Sequence, residues 1–547
     1  MPESPDSANQ PPPLEGYNVF EQDRALVEAL DREGGGWGRD RVVFVGELAG
    51  GEAIEWGFLA NRYPPELRTH DRFGERIDEV EFHPAWHRLM QAGIENGLHA
   101  LPWREPRPGA HAARAAMFLV LSQAEGGFGC PISMTYAVVP ALRAQPDVAA
   151  DWEPRLTSLR YDPRRVAVDE KAGALCGMAM TERQGGSDVR ANATLAAPVE
   201  GGGPGTVYEL TGHKWFCSAP MCDAFLVLAQ APGGPSCFLL PRWLPGGSRN
   251  GFRIQRLKEK LGNRSNASSE VEFHAATARL VGEEGRGVPT IIEMVNHTRL
   301  DCVLGSAALM RAAVAQATHH AEYRRAFGSA LSEHPLMRNV LADLCVESEA
   351  ATVAAMRLAR AYDDARNDPS ARPLARVATA VLKYWVCKRA PAHAAEALEC
   401  LGGNGYVEDS GMPRLYRESP LNSIWEGSGN VICLDVLRAL SRNPEAAEAF
   451  FAEVVLAEGA DPRLDAYAAK LRDDLATGAV EEAEARRTVE RMALALQGSL
   501  LVRHSPPEVA GAFVASRMEG DGGLAFGTLP SGTDFGAIID RARPRLA

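Results

Sequence analysis

The stretch Met178-Ala-Met-Thr-Glu-Arg-Gln-Gly-Gly-Ser-Asp188 marks the point where the chain changes character. Before it, apolar residues recur at helical spacing. Ala112–Gln123 reads as a strongly apolar helix and Pro131–Arg143 as another, kinked at Pro140. After it, Tyr208–Leu210, Ala224–Gln230, Ser236–Leu240 and Glu270–Phe273 are short and apolar or alternating. Gly/Pro-rich turns, Ala231–Pro235 and Pro245–Gly251, separate them, as expected of strands. Helical spacing returns past Gly287. Long helices are predicted over Thr290–Arg325, Pro335–Arg366 and Ala371–Leu401, the last stopped by Gly402-Gly403-Asn404-Gly405. A fourth is predicted from Asn430 to Leu440. Long helices with short links point to an antiparallel bundle.

The predicted order is a disordered proline-rich tail over 1–16, a helical domain over 17–176, a β domain over 177–281, a helical bundle over 282–442 and a helical extension over 443–547. The fold class is α+β, mostly α.

The 547 residues are 46% hydrophobic and 24% charged, a globular mixture. The N-terminus has neither the basic nor the apolar region of a secretory signal. No apolar run of ~18 residues is evident, so no membrane span is predicted and a soluble, cytoplasmic protein is expected. The ten cysteines include no CxxC pair, so they read as reduced, buried small hydrophobes and no metal is expected. A net charge of −13 opposes non-specific nucleic-acid binding unless basic residues gather on one face. No P-loop, HExxH or GxSxG occurs. Gly427-Ser-Gly429 lacks the third glycine and the βαβ setting of a dinucleotide fingerprint.

Three stretches carry candidate chemistry. Around the pair Gly185-Gly186, the residues Met180, Thr181, Gln184 and Ser187 offer backbone N–H groups and hydroxyls to an anionic or heteroaromatic ligand; a structural turn would read the same. In Gly212-His-Lys-Trp-Phe-Cys-Ser-Ala219, a strand bearing Trp215, Phe216 and Ser218 can lay an aromatic wall and a hydroxyl against a flat ring; a half-buried strand would read the same. In Ser423-Ile-Trp-Glu-Gly-Ser-Gly-Asn430, Glu426 stands beside Trp425 in a turn formed with Gly427, Ser428 and Asn430. It is either a base whose pKa an apolar neighbour raises, or a carboxylate favoured by a helix N-terminus.

In order and spacing these stretches resemble the acyl-CoA dehydrogenase family. Met180–Asp188 is similar to its flavin-contacting turn. Phe216-Cys217-Ser218 resembles its Trp-Ile-Thr/Ser strand, with Phe in place of the usual Trp. Arg324-Arg325-Ala326-Phe327-Gly328 resembles its cofactor-phosphate motif, carried by Arg324 and Phe327. Gly402-Gly403-Asn404-Gly405 resembles its GGxG turn, and Trp425-Glu426-Gly427-Ser428 its catalytic Tyr-Glu-Gly-Thr/Ser. The resemblance implies a barrel-like β domain, a C-terminal four-helix bundle, FAD between them, and a homotetramer in which the Arg324 motif reaches a neighbour's cofactor. It implies that Glu426 takes the α-proton of an acyl thioester while hydride passes to the flavin. The family's variant base position falls at about Thr298, which cannot do that work.

Lys260–Phe273, Arg414–Arg438 and the C-terminal extension further resemble the AidB-type subfamily, associated with the bacterial response to DNA alkylation, weak dehydrogenase activity and binding of double-stranded DNA through a basic C-terminal domain. Here residues 443–547 hold 11 Lys and Arg against 17 Asp and Glu, a net charge of −6. DNA binding would therefore need a local face, for which Arg486, Arg487 and Arg491 are the candidates. The alternative expectation is an active dehydrogenase of short or branched acyl-CoA with no DNA role.

Overall fold

The computed structural model describes residues 9–476 and 480–546. By contact the chain falls into two compact units. Among the described residues, one comprises 9–54, 107–124, 299–476 and 480–546; the other comprises 55–106 and 125–298.

The second unit carries the β domain. Seven strands form it: β1 (Cys176–Ala179), β2 (Leu195–Pro198), β3 (Val207–Ser218), β4 (Ala224–Ala231), β5 (Gly234–Pro241), β6 (Phe252–Leu257) and β7 (Ser268–Val281). They run in the order β1-β4-β2-β3-β7-β5, with β6 on β7, and β5 pairs back onto β4. That last pairing closes a barrel, which removes the open edges a flat sheet would expose. Strand β4 is buried along nearly its whole length, which is why it reads as a continuous apolar run rather than an alternation.

The first unit carries the bundle. Its helices are α1 (Gly287–Tyr323, of which the part from Arg299 belongs here), α2 (Pro335–Asn367), α3 (Arg372–Cys400) and α4 (Gly429–Arg442), each within a few residues of its predicted span. Helix α5 (Ala485–His504) of the C-terminal extension packs on α2, α3 and α4. Among the described residues α1 is long and apolar enough to cross a membrane, contrary to the expectation that no such run exists, but most of that stretch is buried inside the protein.

Two expectations differ from what is observed. Residues 17–176 are not one body, because helix Ala110–Ser122 belongs to the bundle unit. All thirteen of its residues are buried, so it has no solvent face to orient it, and periodicity alone cannot say which neighbours cover it. Residues 9–16 are not a loose tail. Leu14 is 6% exposed and Gly16 N–H donates to Gly50 O at 2.7 Å. Residues 1–8 lie outside the described residues.

Candidate functional site

In the barrel unit the glycine turn and the aromatic strand are one construction. Trp215 N–H donates to Thr181 O at 2.8 Å. Glu182, inside the turn, is fully buried with Lys214 of β3, Oε1 to Nζ 2.8 Å. Its carboxylate also accepts from Ala193 N–H (2.6 Å), Thr194 N–H (3.1 Å) and Thr194 Oγ1 (2.6 Å). Burial alone would raise Glu182, but Lys214 and these donors hold it down at about 2. Burial draws Lys214 down to about 8 against the pull of Glu182. The carboxylate is the better-served partner, since it collects several donors while the ammonium has one anion.

Gln184 is exposed and folds its amide back on the turn, donating to Glu182 Oε2 (2.9 Å) and Ala191 O (3.1 Å), so it shapes the turn. Gly186 is required by close approach, because a Cβ there would lie 2.4 Å from Thr181 Oγ1. Gly185 has φ +145°. Met180 and Thr181 are half-buried, and Ser187 is exposed. A register shift between Lys214 and Cys217 bulges β3 at Trp215 and Phe216. Phe216 is 52% exposed, Trp215 has Lys258 Nζ 3.6 Å from its ring centroid, and the half-buried Ser218 faces Ser268 at 3.4 Å between hydroxyl oxygens. A cavity of about 300 Å³ elsewhere in this unit, lined by Trp86, His87, Tyr161 and Asp223 among others, contains none of the motif residues.

In the bundle unit the Trp425–Asn430 turn leads into α4. Glu426 has φ +58°, a left-handed conformation that a non-glycine residue adopts only when its surroundings impose it. Three successive carbonyl oxygens here accept from two buried cations. Lys383 Nζ, on α3, donates to Trp425 O at 2.8 Å and to Gly427 O. Arg299 Nε, on α1, donates to Glu426 O at 2.9 Å, while its Nη1 pairs with Asp435 at 2.9 Å. Gly427 follows with φ +106°, and a Cβ there would lie 2.9 Å from Ile432. Trp425 is held by its own indole, Nε1 to Asn422 Oδ1 at 2.9 Å. Ser428 is the N-cap residue of α4, with no capping bond from its side chain. Thr298, at the variant base position, donates its hydroxyl back to Val295 O at 3.0 Å.

Arg324, Phe327, Gly402 and Gly403 belong to the same unit. Residues 325–330 form a two-stranded hairpin, and its two-residue tip, Phe327 and Gly328, has φ +50° and +92°, as a type I′ turn requires. Phe327 is completely exposed, and open space surrounds Gly402 and Gly403 where side chains would be.

Of the three arginines predicted to share a face on α5, Arg486 is exposed and donates through Nε to Asn430 Oδ1 at 2.8 Å, beside the Trp425–Asn430 turn, and Arg491 pairs with Asp474 at 2.6 Å. Arg487 is exposed. Sequence reasoning passed over Lys383 and gave Arg299 no role. The available signal was a lone charge inside an apolar helical run, Ala-Val-Leu-Lys383-Tyr-Trp-Val.

A closed barrel bearing the glycine turn and a bundle bearing the clamped glutamate are the two halves of an acyl-CoA dehydrogenase. Family profiles agree: residues 9–163 match the adaptive response protein AidB N-terminal domain, 177–276 the acyl-CoA dehydrogenase middle domain, and 285–441 the acyl-CoA dehydrogenase C-terminal domain. The AidB protein of Escherichia coli (strain K12) is 46% identical over 94% of this chain and 95% of its own length. Acyl-CoA dehydrogenase family member 11 of Caenorhabditis elegans is 31% identical over 72% of this chain and 66% of its own. The structure of C. elegans ACDH-11 in complex with C11-CoA superposes with a TM-score of 0.85 at 26% identity, covering 99% of this chain and 93% of that one. The chain belongs to the AidB-type branch of the acyl-CoA dehydrogenases, a family of FAD-dependent oxidoreductases.

Proposed function

We propose that Glu426 is the base that removes the α-proton of an acyl-CoA thioester. The observation that carries this reading is the main-chain clamp. Two buried cations and a strained φ hold a single carboxylate-bearing residue, as a preorganised base requires. FAD, when bound, supplies the acceptor for the hydride leaving the β-carbon. The residues fit that cofactor. Phe216, Trp215 and Ser218 suit a flat ring, and among the described residues the guanidinium of Arg324 is engaged through Nη1, on Asn9 O, leaving Nε and Nη2 for a phosphate. The acyl-CoA class is supported by the C11-CoA of the C. elegans relative. A cytoplasmic homotetramer with two-fold axes is part of the same proposal, and the exposed Phe327, Leu336 and Tyr406 are surfaces another copy would cover.

The test is anaerobic mixing of the FAD-loaded protein with short, branched and medium-chain acyl-CoAs, including C11-CoA. Loss of the oxidised flavin spectrum with at least one of them is expected. Protein that cannot be loaded with FAD, or loaded protein that none of them reduces, would sink the reading.

A role in the response to DNA alkylation comes to this chain from its AidB relatives. Direct DNA binding by the extension finds little support, because its arginines are largely spent on packing. Arg503 pairs with Glu453, Arg517 with Asp343 and Glu347, and Arg541 with Glu28 and Glu349. We expect binding of duplex DNA with a slope of log K against log salt no steeper than about −2, the release from roughly two phosphates. A slope of about −5 or steeper would restore a DNA-binding face.

A further inference from the structure

The N-terminal segment Asn9-Gln-Pro-Pro12 lies across two motifs that the sequence places far from it. The Asn9 side chain pairs with the main chain of Arg325 as a neighbouring strand would: Oδ1 accepts from Arg325 N–H at 2.8 Å and Nδ2 donates to Arg325 O at 3.1 Å. Arg324 Nη1 donates to Asn9 O at 2.8 Å. One residue on, Gln10 Oε1 accepts from Asn404 Nδ2 at 3.1 Å, within the Gly402–Gly405 turn. Pro12 O accepts from His319 Nε2 at 2.7 Å, on α1 just before the hairpin. Three consecutive prolines, Pro11 to Pro13, stiffen the segment, and Leu14 is buried behind them.

We propose that Asn9–Pro12 is a strap that positions Arg324 for a phosphate group and ties its hairpin to the Gly402–Gly405 turn. The guanidinium fork gives the strap its use. An arginine binds a phosphate best through two parallel N–H donors, and a free side chain must surrender many rotamers to present them. With Nη1 anchored on Asn9 O, Arg324 has already given up much of that freedom, and among the described residues the Nε–Nη2 edge, itself a two-donor fork, is left for the phosphate. The hairpin needs external support for the same purpose, since its exposed tip holds Phe327 in a left-handed conformation. Asn9 supplies it by pairing with the strand at Arg325. The strap is thus a positioning element, acting through Arg324. This inference rests on the reading that Arg324 serves the FAD diphosphate.

The experiment is titration of the full-length apo-protein with FAD, followed by flavin fluorescence, for wild type, Asn9→Ala, Arg324→Lys and the double variant. Lysine keeps the charge but has no fork to preset. Asn9→Ala should weaken FAD binding about 10-fold in the wild-type background and leave it unchanged in the Arg324→Lys background. A general loosening of the fold would instead weaken both backgrounds equally, and that result overturns the strap, as does an Asn9→Ala protein that binds FAD as wild type does. Wild-type protein that fails to bind FAD would overturn the cofactor reading and this inference with it. Binding retained by wild type but unaltered by Asn9→Ala overturns the strap alone.

Discussion

Glu426→Gln is expected to slow substrate-driven flavin reduction by ~10²–10⁴, the usual loss when a positioned general base is removed. FAD should remain bound with a near-normal absorption spectrum. Glutamine keeps the shape of the side chain and loses its basicity. The turn itself should hold its path, because Lys383 and Arg299 grip the carbonyl oxygens of residues 425–427, which the substitution leaves in place. Stopped-flow reduction by the best acyl-CoA of the panel measures the effect. A glutamine variant that reduces its flavin at the wild-type rate would show that another group takes the proton, or that the chemistry needs no base.

Glu182→Ala should produce the largest loss of stability. It leaves Lys214, which is wholly inaccessible to solvent, without its anion. Breaking a buried ion pair from one side typically costs ~3–5 kcal/mol, more than the net worth of the pair, because the remaining charge is stranded. The urea midpoint of the barrel, read by tryptophan fluorescence, should fall accordingly. Replacing both partners with apolar residues, Glu182→Leu with Lys214→Met, should recover most of the loss. The pH dependence has a defined sign. Glu182 sits below its ordinary value in the folded protein, so its contribution is complete above about pH 4.5 and is lost as pH falls toward about 2. The wild type should weaken over that window more than the alanine variant does. Equal midpoints for wild type and Glu182→Ala at neutral pH would remove the pair from any account of the turn.

What was legible beforehand was whatever the local pattern determines. The four bundle helices follow from long runs at helical spacing, and Gly402 stops α3 with φ +58° where a left-handed residue is needed. The barrel strands follow from short apolar runs between Gly/Pro turns. Glu426 stood out as a candidate because of its neighbours, a tryptophan before it and glycines after it. The illegible parts depend on long-range partners. Nothing local tells that Gln184 folds back onto Glu182, that Arg486 reaches Asn430 fifty-six residues away, or that Asn9 docks more than three hundred residues downstream at Arg325. A proline-rich start reads as disorder by composition, yet three prolines in a row also leave little chain entropy to lose on docking. The basic residues of α5 suggested a nucleic-acid face because side-chain type was visible and ion pairing was not.

The clamp on the Trp425–Gly427 turn grips main chain. The hydrogen bonds from Lys383 Nζ and Arg299 Nε end on carbonyl oxygens, atoms common to all amino acids. The turn can therefore exchange side chains while its path through space stays the same. Trp425, where a tyrosine is usual in the family, is such an exchange, and its indole finds a partner of its own in Asn422. The arrangement separates two properties that a reactive loop often couples: where its carboxylate is delivered, and what kind of surface surrounds it. The first is anchored from beneath by the bundle. The second is left open to drift, because a change of side chain beside the carboxylate leaves the gripped carbonyl oxygens where they are.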